Sequence, residues 1–300
     1  LYSAISVGTE LSAFLGEAPL RKGAQYPRLQ GYLNVALVIE DLNSDNLSED
    51  STSLLDKLII TYSSHRDYFV LNSSDFYQVI PKVEDIKKYA LTYIYHLSLS
   101  AILKANYSYN DVVFVYGSGL ISLASIQLYK SLGLQTFCIT NTKERIDLAF
   151  DSGADDVYTN FNNEKLTEGI FSDIAVITSN SWNTWETALK NASPYSRISV
   201  LGFPGRNQKV QNNFNPLNPL YTYGKQLSIF FCGELVNKED NRKILRNTET
   251  QNMSGLVKDI SSRKLDPLSL ISDTYSWEEL ENVYLRIEQR CPSDCTFILD

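Results

Sequence analysis

The sequence predicts an α/β fold, a β-rich leading part followed by a doubly wound parallel sheet with helices on both faces. Three observations carry this. Five apolar residues, Val112 to Tyr116, run straight into a Gly117-Ser118-Gly119 turn and then an amphipathic run, Leu120 to Leu132. Further short apolar runs alternate with helical segments downstream, the pattern of parallel strands joined by crossover helices. Before residue 90 the pattern changes to short β-type runs, some separated by Gly and Pro turns.

In chain order, Val35–Glu40, Lys57–Thr61 and Tyr68–Leu71 read as strands of the leading part. A helical run, Asp85 to Leu103, links the two parts. The strand 112–116 opens the parallel sheet, and Ile121, Ala124, Ile126, Leu128 and Leu132 fill the inward face of the helix that follows. Gln135–Thr140 is a second buried strand, and the helix Ile146–Ser152 is closed by Gly153. Asp156–Tyr158, Asp173–Thr178 and Arg197–Leu201, the last ending at Gly202, are the third to fifth strands; Leu227–Cys232 is the sixth. A helix is expected around Arg242–Arg263. An amphipathic one spans Ser276–Gln289, with Ser276 as N-cap and Glu278 and Glu279 in its first turn. Thr296–Leu299 is a final strand. The polar stretches 41–53 and 206–219 read as surface loops.

Composition narrows the function classes. No apolar run approaches the roughly 20 residues needed to span a bilayer, so no membrane contact is expected. The first 20 residues contain Glu10 and Glu17 and lack a basic start followed by an apolar block, so no secretory signal is read there. A net charge of −8 argues against a nucleic-acid partner. Cys138, Cys232, Cys291 and Cys295 do not form a disulfide framework, which suits a reducing cytoplasm. Cys138 falls in a core strand, and Cys291 and Cys295 read as packing residues.

The turn after strand 112–116 is the main functional signal. Gly117 permits the sharp turn, and Gly119, with no Cβ, lets a pyrophosphate approach the backbone. The helix N-terminus at Leu120 and Ile121 supplies free N–H groups and a favourable dipole. The third glycine of the GxGxxG fingerprint is replaced by Ser122, so the motif matches at two positions of three.

At this point the chain resembles a medium-chain dehydrogenase/reductase over nearly all of its length. The resemblance lies in the order of the motifs: Ser3–Leu11, Tyr26–Val35, Ser63–Val70, Tyr116–Ile121, Lys143–Asp155 and Leu201–Gly205. In appearance it is nearest to the bacteriochlorophyllide dehydrogenase-like and quinone oxidoreductase-like subgroups. The resemblance implies a GroES-like catalytic domain (1–90 and 270–300, its earliest strands missing) and a Rossmann cofactor domain (91–269). Zinc-dependent members carry Cys where this chain has Val7, and His-Glu where it has Tyr32 and Leu33. Zinc takes about four N, S or O ligands, so a zinc-independent member is implied.

NAD-preferring sites place an acidic residue at the end of the second strand; here that place is Thr140, followed by Asn141, Thr142, Lys143 and Arg145. NADP(H) is therefore expected over NAD(H), although Lys143 and Arg145 also read as an ordinary solvated helix turn. Without zinc, a hydrogen-bond donor must meet the developing charge. Tyr32, at the former zinc-histidine position, should face the cleft. Thr9 is a second candidate, for cofactor or substrate contact or for turn stabilisation. His65 and His96 are the remaining candidate proton donors, each with a structural role as alternative; His96 lies 21 residues before Gly117, where the family places a threonine at the nicotinamide. The implied activity is hydride transfer from NADPH to a conjugated C=C or a polarised C=O or C=N of a small, specialised metabolite. The alternatives are an alcohol dehydrogenase of the bacteriochlorophyllide-dehydrogenase-like type and a non-catalytic binding protein of the same fold. A homodimer through the edge strand 227–232 is implied as well.

Overall fold

The computed structural model describes residues 1–17, 27–42, 53–72, 74–159, 170–206, 214–233 and 247–300. Its elements in order are β1 (Tyr2–Ile5), α1 (Val7–Phe14), β2 (Asn34–Leu37), β3 (Leu58–Thr61), β4 (Tyr77–Ile80), α2 (Thr92–Lys104), β5 (Val112–Tyr116), α3 (Leu120–Ser131), β6 (Gln135–Ile139), α4 (Ile146–Asp151), β7 (Asp156–Tyr158), β8 (Ser172–Ile177), α5 (Trp182–Asn191), β9 (Ala192–Val200), α6 (Pro219–Thr222), β10 (Ser228–Phe231), α7 (Glu249–Ser261), β11 (Ile271–Tyr275), α8 (Leu280–Glu288) and β12 (Thr296–Leu299).

They form two six-stranded sheets. One has the order β10-β9-β8-β5-β6-β7, with every neighbouring pair parallel. Its inner strands β5, β6 and β8 are buried on both faces, which explains their continuous apolar sequences. Val113, Val115, Ile174 and Val176 face the core under α2, α3 and α7. Phe114, Tyr116, Ala175 and Ile177 face the opposite side, where Trp185, Ala188 and Leu189 of α5 cover them. The chain starts this sheet at β5, winds to β6 and β7 on one side, then returns to β8, β9 and β10 on the other. The order reverses between β5 and β8, and open α/β sheets bind ligands outside the carboxyl ends of strands at such a point.

The other sheet has the order β11-β12-β1-β2-β3-β4. It is antiparallel except for the β11–β12 pair. The C-terminal strand β12 pairs with the first strand, Ser3 opposite Leu299, so both ends of the chain close one sheet. The largest core cluster runs from Val35, Leu58 and Ile60 of this sheet through Tyr89, Ile94 and Ile102 to Val113 and Leu123, joining the two halves. A smaller cluster, Ile5, Leu11, Val283, Ile287, Phe297 and Leu299, seats α1 and α8 on the sheet.

Several expectations are corrected. Residues 68–71 form no strand, and Tyr68 and Val70 are about 80% exposed (79% and 81%). The second neighbour of β3, beyond β2, is β4, with sequence YQVI, which is not among the expected strands. The helical run 85–103 is a 3-10 turn, Ile86–Leu91, leading into α2. The run 276–289 likewise begins as a 3-10 turn; Ser276 and Glu279 form the expected capping box. Cys291 is exposed rather than packed, and Cys138, Cys232 and Cys295 are buried free thiols. Tyr26, residues 43–52 and 207–213 of the two expected loops, and residues 242–246 of the helix expected near 242–263 lie outside the described residues; α6 forms at the end of the second loop. No helix among the described residues is long and apolar enough to cross a membrane.

Candidate functional site

The glycine turn sits at the reversal point. Gly117 has φ +126, which L side chains rarely adopt, and a Cβ there would lie 2.4 Å from Thr178 Oγ1 at the end of β8. Gly119 caps α3 in extended backbone with open space beside it. The substitution of the third glycine has a structural reason: Ser122 is fully buried and its Oγ lies 2.7 Å from Thr178 Oγ1, fastening α3 to β8 across the turn. Gly202, after β9, packs against the carbonyls of Thr178 and Ser179 and so belongs to the same crevice. Leu120 is buried and Ile121 packs beside it in the main core, so these two contribute backbone N–H groups at the start of α3.

The expected ribose edge is polar but partly committed. Thr140 is buried; its hydroxyl lies 2.7 Å from Ser118 Oγ and accepts from the Thr142 N–H at 3.1 Å. Arg145 donates to the carbonyl of Ser118 at 2.6 Å, to that of Pro292 at 2.6 Å, and to that of Asp294. Asp294 in turn pairs with Arg286 of α8 at 2.8 Å. Arg145 therefore fastens the glycine loop to the C-terminal segment, with each of its three nitrogens donating to a carbonyl. Lys143 and Asn141 are exposed, and Lys143 has no ion pair among the described residues. It is the cation open to a ligand at this edge.

The catalytic candidates separate into two groups. His65 belongs to a buried network. Its Nε2 lies 2.7 Å from Glu10 Oε2 and its Nδ1 lies 2.6 Å from Ser3 Oγ. Glu10, only 1% exposed, also accepts from the Ser6 N–H at 2.8 Å and from the Tyr284 hydroxyl at 2.7 Å. Burial, with Glu10 beside it, pushes the Tyr284 hydroxyl pKa well up. The Ser3–His65–Glu10 chain looks like a relay, but Ser3 is fully buried and bonded to Asn34 Oδ1 at 2.6 Å, so no nucleophile is presented. This network sets the pitch of α1 against β1.

Tyr32, Thr9 and His96 surround the start of α1 and α2. The Tyr32 hydroxyl donates to Ser6 Oγ at 2.7 Å and hydrogen-bonds the Thr9 side chain. Burial raises its pKa, the Ser6 and Thr9 hydrogen bonds lower it, and Glu10 adds a smaller upward push. The Tyr32 ring meets Tyr93 edge-on at 5.8 Å, and Tyr93 stacks on His96 at 5.9 Å. Tyr62 and Phe76 complete this aromatic cluster. His96 is 1% exposed with neither ring nitrogen partnered among the described residues, and burial pushes its pKa down to about 4. It is therefore a neutral imidazole near pH 7. Its helix packs on α3, where the hydroxyls of Ser98 and Ser125 lie 2.9 Å apart.

Beside this group lies a cleft of about 480 Å³ between the two sheets. One wall is α1, through Val7, Gly8, Leu11 and Ser12; the other is the Ser179–Ser181 segment after β8. Tyr32 does not line it; its hydroxyl is turned to Ser6 and Thr9 behind that wall. Sequence reasoning missed three further lining residues, Glu17, Arg206 and Arg290, of which Glu17 lies 3.6 Å from Arg290. Among the described residues, no three His, Cys, Asp or Glu side chains are grouped as a metal site would require. Val7 and Tyr32 do not supply a zinc donor set.

No family model matches the chain, and no curated protein does. Solved structures do match. Galactitol-1-phosphate dehydrogenase from Escherichia coli superposes with a TM-score of 0.79 at 17% identity, over 99% of this chain and 90% of that one. A short chain alcohol dehydrogenase from E. coli CFT073, complexed with NADH, gives 0.71 at 19% identity, over 99% and 89%. The 2R,3R-butanediol dehydrogenase from Bacillus subtilis gives 0.74 at 12% identity, over 99% and 90%. At these identities the likeness is one of fold, and it extends over both sheets.

Proposed function

We propose that this chain is a zinc-independent oxidoreductase of the medium-chain dehydrogenase/reductase type, which binds NADP(H) and transfers hydride to a conjugated C=C or polarised C=O or C=N of a small metabolite. The observation that carries the reading is the Gly117 turn. A backbone of positive φ, pressed against Thr178 where the strand order reverses, is the arrangement that receives a dinucleotide pyrophosphate. The first-turn N–H groups of α3 point the same way.

The bound cofactor supplies the hydride. Gly117, Ser118 and Gly119 hold its phosphates, and Thr142 and Lys143 take the 2′-phosphate, with no carboxylate at Thr140 to repel it. Tyr32 is the group assigned to hydrogen-bond the substrate heteroatom and to deliver its proton, which requires its hydroxyl to turn from Ser6 and Thr9 toward the cleft. His96, neutral and held in the aromatic cluster, keeps the floor of the site apolar, while His65 positions α1 through Glu10.

The dehydrogenases named above favour a second reading, oxidation of an alcohol in the same site with NADP+ as acceptor. Pairing of β10 with its copy in a second chain is part of the proposal; β10 is an edge strand and Phe231 on it is 65% exposed.

The test is fluorescence titration with NADPH, with NADH as control. Binding of NADPH in preference to NADH supports the reading; binding of neither refutes it in both directions of reaction. Thr142→Ala and Lys143→Ala should weaken NADPH selectively, and equal loss for NADH would refute the 2′-phosphate assignment. Unchanged turnover in Tyr32→Phe would remove Tyr32 from the proton path.

A further inference from the structure

We propose that Arg145 is a positioning residue of the cofactor site. It locks the peptide between Ser118 and Gly119 to the C-terminal segment 292–294, aims the Gly119 N–H, and so couples dinucleotide affinity to the packing of the chain's last strand. The link to a dinucleotide rests on the function proposed above; the lock does not. The lock joins the two sheets. Arg145 stands at the start of α4, after β6 of the parallel sheet, whereas Pro292 and Asp294 lead into β12 of the other.

The turn needs such a lock. Ser118 is flanked by Gly117 and Gly119, and glycine populates backbone conformations closed to other residues. Two contacts remove that freedom. The Ser118 hydroxyl lies 2.7 Å from Thr140 Oγ1, just after β6, and the Ser118 carbonyl accepts from Arg145 Nη1 at 2.6 Å. In a planar trans peptide the C=O and the following N–H point in opposite directions. Holding the Ser118 carbonyl therefore fixes the direction of the Gly119 N–H, at the N-cap of α3, where a phosphate would meet the helix.

The other end of the lock is braced. Arg145 Nε donates to the Pro292 carbonyl at 2.6 Å, and Nη2 donates to that of Asp294. The Asp294 carboxylate accepts two bonds of 2.8 Å from Arg286 of α8. Arg286 Cζ lies 4.9 Å from the ring centroid of Phe297 in β12, and Arg286 donates to the Tyr275 hydroxyl of β11. The next amide, Cys295 N–H, donates to Ser272 Oγ at 2.7 Å. A lysine at 145 would keep the charge, but an ammonium lacks the planar fork that reaches carbonyls in two segments at once. That difference separates a lock from a simple positive charge.

Fluorescence titration of the full chain with NADPH and with NADH tests the assignment. Arg145→Ala should weaken both by the same factor, about tenfold, and Arg145→Lys should recover little of the loss. Unchanged affinity, a loss confined to NADPH, or full recovery by lysine would each overturn the positioning role. Arg286→Ala should also weaken both, and should add nothing in the Arg145→Ala background; additive losses would overturn the coupling. Amide hydrogen exchange gives the reciprocal readout. Saturating NADPH should slow exchange at Asp294 and Cys295 in the parent and not in Arg145→Ala, and equal slowing in the two would overturn the coupling. If neither dinucleotide binds the parent, the function proposed above fails, and exchange in the free protein decides the lock. There Arg145→Ala should speed exchange about tenfold in residues 117–119 and 293–295 together; unchanged exchange would overturn it.

Discussion

His96 makes the folded state sensitive to mild acid, and the size of the effect follows from its surroundings. The ring is 1% exposed, stacked on Tyr93, and unpartnered at both nitrogens among the described residues. Burial sets its pKa at about 4, against about 6.5 in an unfolded chain. Above pH 6.5 both states hold a neutral imidazole and the group adds no pH dependence. Between about 6.5 and 4 the unfolded chain takes up a proton that the folded chain refuses, so stability falls as pH falls. Below 4 both states are protonated and this contribution levels off. Each pKa unit corresponds to about 1.4 kcal/mol, so the full loss is roughly 3 kcal/mol, most of it reached by pH 4.5. Carboxylates titrate in the same range, so the measurement is a difference. Urea unfolding of the parent and of His96→Leu is compared at pH 7 and pH 4.5. The parent should lose roughly 2–3 kcal/mol more than the variant. At pH 7 the substitution should cost little, since it removes two polar atoms that have no partners. Parallel losses in the two proteins would refute the reasoning and show that His96 ionises as freely when folded as when unfolded.

Three further outcomes are expected. Gly117→Ala should cost about 1–3 kcal/mol in backbone strain, in addition to its clash with Thr178, and should abolish NADPH binding by titration; unaltered binding would place the cofactor elsewhere. Glu10→Gln should lower stability by about 3 kcal/mol in urea unfolding, because it strips a buried carboxylate from His65, and His65→Gln in the same chain should recover part of the loss; additive losses would show that the two do not act as a pair. Phe231→Glu should convert a dimer to a monomer by light scattering, and an unchanged mass would refute pairing through β10.

The parallel sheet was legible because burial on both faces leaves its strands continuously apolar. Val112–Tyr116 coincides with β5, and β6 and β8 lie within a residue of their expected ends; in the other sheet the fully buried β12 coincides with Thr296–Leu299 for the same reason. Where one face meets solvent, the signal weakens. In β4, Tyr77 and Val79 are 40% and 38% exposed, while Tyr68 and Val70 carry the same alternation in a segment that pairs with nothing. The helix α1 was read as a motif rather than as a helix. Its first turn is stabilised from outside its own sequence neighbourhood, by contacts from His65 and from Tyr284, 274 residues away, to Glu10.

The same distinction separates what was legible in the site from what was not. The glycine turn is local: strand, turn and helix are consecutive, so residue order alone points to it. The roles of the cations are not local. Arg145 and Lys143 look alike in the sequence, yet Arg145 is anchored by carbonyls of Pro292 and Asp294 from the far end of the chain, and Lys143 is exposed with no ion pair among the described residues. Arg206 and Arg290 carry no periodic or motif signal. They meet only because β12 returns to pair with β1, which brings the end of α8 over α1 and the segment after β9. Closing the N-terminal sheet with the C-terminal strand thus completes the cleft as well as the fold. Weakening the β1–β12 pair should therefore loosen ligand binding before it unfolds the parallel sheet, whose core on the α5 face contains no residue from either chain end.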